Sequence, residues 1–94
     1  MRIGVQLPEV ERDVRWPEVR TLARAAEESG LDSVWTGDSL LARPLYDPFV
    51  TLAIAAAHTE RVRLGTAALL APMRPPALVA QAVASLDQDR KSVV

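Results

Sequence analysis

Apolar and polar positions switch between two periods along this chain, at a beat of about thirty residues, the size of one strand-helix unit. Arg2 to Leu7 carries the apolar run Ile3-Gly4-Val5-Gln6-Leu7 and reads as a strand. After a polar turn, Trp16-Pro17 opens a helix, since proline is tolerated at the first helical position. Val19, Leu22, Ala23 and Ala26 follow the i, i+3, i+4, i+7 spacing of one buried face, which leaves Arg20, Arg24, Glu27 and Glu28 to solvent. Gly30 stops that helix as a left-handed cap. Leu31 to Thr36 predicts a second strand centred on Val34 and Trp35, with Asp38 just past its carboxyl end. The loop from Ser39 to Tyr46 leads to Asp47-Pro48, an N-cap followed by proline, and Phe49 to His58 is apolar nearly all round, which predicts a helix buried on more than one side. Val62 to Leu69 is a third strand, and Pro76 opens a third helix running to about Gln88.

The order βαβαβα predicts an α/β fold with a parallel sheet and right-handed crossovers. A dinucleotide-binding fold needs a glycine-rich turn after its first strand so that backbone N–H groups reach the pyrophosphate. That turn here is Pro8-Glu9-Val10-Glu11-Arg12-Asp13, which has no glycine and three acids. A TIM-like (β/α)8 barrel remains, and since such a barrel takes ~250 residues, the chain supplies its first three units and is incomplete as a barrel.

Composition narrows the classes further. With no cysteine among 94 residues, disulfides and thiolate metal sites are excluded; paired histidines are also lacking, so no metal site is expected. A net charge of -1 gives no footprint for nucleic acid and no polybasic segment for a membrane surface. The longest apolar stretch, Phe49 to Ala57, falls well short of the ~20 residues that span a bilayer. The expectation is a soluble, cytoplasmic chain.

The richest stretch is Arg61 to Ala84. Its strand ends in the small side chains of Gly65-Thr66-Ala67-Ala68 and passes into a loop stiffened by Pro72, Pro75 and Pro76, a flat wall against which a planar ring could lie. On composition alone Ala67 and Ala68 read first as the taper of a barrel interior, and Asp38 equally well caps a turn. Trp35 reads as strand core, His58 as a helix-end cation favoured by the dipole, and Arg74 as a loop cation placed where a cofactor or substrate anion could sit.

Four blocks in order carry a resemblance: Ile3 to Pro8, Ala25 to Trp35, Thr59 to Thr66 (TERVRLGT, the most specific) and Leu86-Asp87. Together they resemble the amino-terminal third of the luciferase-like family of flavin- and deazaflavin-dependent oxidoreductases. The resemblance implies a barrel whose cofactor, FMN or alternatively a deazaflavin, lies over the strand ends and acts with a small-molecule substrate. It implies a non-prolyl cis bond at Ala67-Ala68 behind the ring, and Asp38 near the ring edge or substrate pocket. Many relatives follow that acid with a histidine that transfers protons. Here the position is Ser39, whose hydroxyl is no general base near neutral pH without an activating neighbour.

The resemblance runs to Gln88, beyond which the family continues through a glycine-rich turn into a fourth strand. Here Asp89-Arg90-Lys91-Ser92-Val93-Val94 follows, holding the only lysine beside ten arginines. Residues 1–88 are therefore expected to be barrel and 89–94 a non-native tail, a frayed helix end being the alternative. As a bare three-strand unit the chain is expected to be inactive alone. A reading from a different class makes it a small non-catalytic α/β module that forms a homodimer through the uncovered sheet face.

Overall fold

The computed structural model describes residues 1–8, 15–38 and 47–90. Its elements are β1 (Gly4–Gln6), α1 (Trp16–Glu28), β2 (Ser33–Thr36), α2 (Pro48–Ala57), β3 (Arg63–Thr66), a 3-10 turn at Ala71–Met73 and α3 (Pro76–Arg90). The third helix passes the expected limit at Gln88 and includes Asp89 and Arg90, while residues 91–94 of the tail lie outside the described residues.

The three strands form one parallel sheet in the order β1-β2-β3. Val5 pairs with Val34 and Val34 with Leu64, and these three residues point to the side on which α1 and α2 pack. The core there joins Val19, Ala23 and Ala26 of α1 to Leu52 and Ala55 of α2, with Leu7, Val34, Val62 and Leu64 from the sheet and its flanks. Single βα units bury little, so these shared contacts supply most of what holds the helices down.

Two helix ends have a direct chemical cause. The Asp47 carboxylate caps α2, its Oδ2 accepting from Phe49 N at 2.9 Å and Val50 N at 3.2 Å. Gly30 has φ 84° and completes a Schellman cap on α1, with Gly30 N donating to Glu27 O and Leu31 N to Ala26 O, both at 3.0 Å. The helix α2 is apolar all round, yet only part of it is covered. It packs on α1, α3 and the sheet, while Val50, Ala53 and Ala57 face out beside Trp16 in a groove of about 480 Å³.

The opposite face of the sheet carries Gly4, Ser33, Trp35 and Gly65, and no described helix covers it. Trp35 lies across all three strands there. Its indole passes so close to Gly4 and Gly65 that a Cβ on either would come within 2.5 Å of its ring atoms, and its Nε1–H donates to Ser33 Oγ at 2.8 Å. Trp35 thus faces the prospective barrel interior instead of joining the core beneath the helices.

Candidate functional site

The carboxyl ends of the strands gather at one edge of the molecule. β3 stops at Thr66, four residues before the start of a loop turn at Leu70, and the peptide bond between Ala67 and Ala68 is cis. Ala67 N still donates to Thr36 O at 2.9 Å, so the first alanine remains registered on β2. Both alanines are exposed and offer only a methyl group, so the backbone is open to close approach by a flat ring. Leu69 and Leu70 continue the loop, and the 3-10 turn follows.

Asp38, one residue past the Gly37 that follows β2, is pulled into this loop. Its side chain is only 2% exposed. Oδ2 accepts from Leu70 N at 2.9 Å and from Arg74 Nε at 3.3 Å, while Oδ1 accepts from the second terminal nitrogen of Arg74 at 2.7 Å. The guanidinium also donates at 2.7 Å to Asp47 Oδ1, the carboxylate that caps α2, and sits 5.7 Å from the centroid of the Phe49 ring. Burial pushes the Asp38 carboxyl up, but the Arg74 hydrogen bonds, the Leu70 N–H and the Arg74 charge outweigh it and hold the group below its ordinary value. For Arg74 the hydrogen bond to Asp38 dominates, and with both carboxylates it keeps the guanidinium protonated against burial. Asp38 is thus a fixed anion whose oxygens already have donors, a poor proton carrier but a firm support for the loop.

The structure therefore brings Asp38, Ala67 and Ala68 to the same edge and adds Arg74 and Asp47, which sequence placed in separate roles. Asp47 reads from sequence as a cap and no more; its second oxygen is what the pattern could not assign. Ser39 lies outside the described residues. His58 is the exposed C-cap residue of α2, away from these groups. Among the described residues no cluster of His, Cys, Asp and Glu could hold a metal ion, and no helix is long and apolar enough to cross a membrane.

At the other end of the sheet, Glu27 departs from its solvent-facing assignment. It is half-buried and its carboxylate accepts from three successive backbone N–H groups, those of Glu60 (2.9 and 3.0 Å), Arg61 and Val62 (2.9 Å). The helical period sees α1 alone and misses this partner, which comes from the turn into β3.

This parallel βαβαβα unit matches the amino-terminal part of a TIM-like barrel, and the chain belongs to the luciferase-like monooxygenase family, whose sequence profile matches residues 1–89. Over 65 residues, 63% of this chain, it is 42% identical to an uncharacterised protein of Mycobacterium tuberculosis, of which the match covers 18%. It is 45% identical over 67 residues, 65% of the chain, to 20% of an F420-dependent glucose-6-phosphate dehydrogenase of Kineococcus radiotolerans. The fold superposes with TM-score 0.76 on the monooxygenase RslO1 from Streptomyces bottropensis, at 31% identity over 94% of this chain and 30% of that one. The chain thus spans about a fifth of the length of these curated relatives.

Proposed function

We propose that these residues form the first three units of a barrel oxidoreductase that seats a flavin ring, FMN in the first instance, over its strand ends and oxidises a small organic substrate. The observation that carries the reading is the exposed Ala67-Ala68 pair just past the end of β3, where methyl side chains leave the backbone free to lie behind a flat ring. Ala67 and Ala68 are assigned to the wall behind the ring and Asp38 to its rim, where the buried anion braces the loop. When bound, the ring supplies the redox chemistry, and the protein supplies orientation and exclusion of water. The likeness to the monooxygenase of S. bottropensis supports oxidation of the substrate. A second reading, a deazaflavin in the same seat, is favoured by the F420-dependent relative of K. radiotolerans.

The complete barrel should separate these readings by titration with FMN and with the deazaflavin cofactor, followed through ring fluorescence. The proposal expects saturable binding of one of them, weakened when Ala68→Leu puts a branched side chain into the wall. Binding of neither would overturn it.

A further inference from the structure

Resting on that reading, we propose that Arg74 is a positioning residue: it spends its guanidinium on Asp38 and Asp47 and so fixes the loop after Ala67-Ala68, and it does not itself bind an anion of the cofactor or substrate. Sequence leaves Arg74 as a cation beside the site, which invites the opposite role.

Three of its nitrogens donate to carboxylate oxygens, two to Asp38 and one to Asp47. Its side chain is 16% exposed and its flat face lies by Phe49, so little of the guanidinium is left to reach outward. The three groups come from different elements: Asp38 follows β2, Asp47 starts α2, and Arg74 closes the 3-10 turn between β3 and α3. Asp38 in turn receives Leu70 N, so the segment from Ala67 to Arg74 is pinned at both Leu70 and Arg74 to one buried anion. Bidentate, charge-assisted contacts of this kind fix geometry as well as contributing energy, and lysine cannot reproduce the fork.

The test uses the complete barrel with Arg74→Met, Arg74→Lys, Asp38→Asn and the double variant Asp38→Asn/Arg74→Met. Binding of FMN and of riboflavin, which lacks the phosphate, is titrated, and exchange of the Leu70 amide is followed by NMR. Positioning predicts that Arg74→Met weakens FMN and riboflavin alike, about tenfold each, the scale of one lost charge-assisted contact. It also predicts that the double variant is no weaker than the worse single one, and that Leu70 N–H exchange speeds up in Arg74→Met and in Arg74→Lys. A loss confined to FMN would make Arg74 a phosphate ligand and overturn the proposal, as would multiplying effects in the double variant. Should the parent protein bind no ring at all, the cofactor reading falls, while unchanged Leu70 exchange in Arg74→Met would separately refute the holding role.

Discussion

Glu27 lies on the polar side of the α1 wheel, and the helical period alone gives it to water. What changes its fate is a turn more than thirty residues later that aims three successive backbone N–H groups at one spot. Burial pushes its carboxyl up, yet the N–H donors of Arg61, Val62 and Glu60, with the Arg61 charge, hold it below the ordinary 4.5. The folded value is the depressed one, so the stabilisation is complete above about pH 4.5 and is lost as pH falls through the lower folded value. Glu27→Ala should cost about 1–2 kcal/mol at neutral pH, limited because water can reach the freed amides of exposed Glu60 and Arg61. Glu27→Gln should flatten the acid limb of the stability profile relative to the parent protein. Unfolding midpoints of the complete barrel between pH 3 and 7 (roughly the span over which a carboxylate titrates) check both, and parallel acid limbs would count against this account. Asp38 was legible as a candidate because it follows a strand end, but its tie to Arg74 crosses 36 positions of sequence and no local pattern carries that.

The elements themselves were written locally. The spacing of Val19, Ala23 and Ala26 gave α1 its buried face, Asp47-Pro48 placed the start of α2, and Gly30 ended α1 in the left-handed conformation. Strand ends were less legible: Leu31 to Thr36 shortens to Ser33–Thr36 and Val62 to Leu69 to Arg63–Thr66, because a ladder ends where the neighbouring strand stops pairing, whatever the propensity of the next residue. The two strand glycines have a cause at this scale. Trp35 can lie flat across the sheet only if both flanking strands give up a Cβ beside it. Gly65→Ala should therefore cost about 1–3 kcal/mol by overpacking against the pinned indole. Pairing it with Trp35→Leu should recover part of that loss, since the colliding atoms are gone. A double-mutant cycle on thermal midpoints measures this, and strictly additive losses would refute it.

At the scale of the whole chain, the arrangement is one-sided. α1 and α2 cover one sheet face, while the other shows the Trp35 indole and two glycines among the polar Gln6, Ser33 and Arg63, and β1 and β3 each pair on a single side among the described residues. Closed barrels remove such edges; three strands cannot. The 94-residue chain prepared alone should self-associate or bind an apolar dye and melt without a sharp transition. A cooperative melt of a monomer in calorimetry would contradict this, and a discrete dimer would favour the interaction-module reading.

Barrels of this kind invite recombination, because strand-helix units look interchangeable and their junctions make natural crossover points. The carboxylate of Glu27 argues against treating these three as separate cassettes, since it is supplied by the first unit and received at the threshold of the third, with β2 lying between. A chimaera joined anywhere from Gly30 to Thr59 inherits a third unit whose first three amides expect an acid at one position of a foreign α1. Designers grafting β3 with its alanine pair onto another scaffold would have to carry that single glutamate along or rebuild the turn.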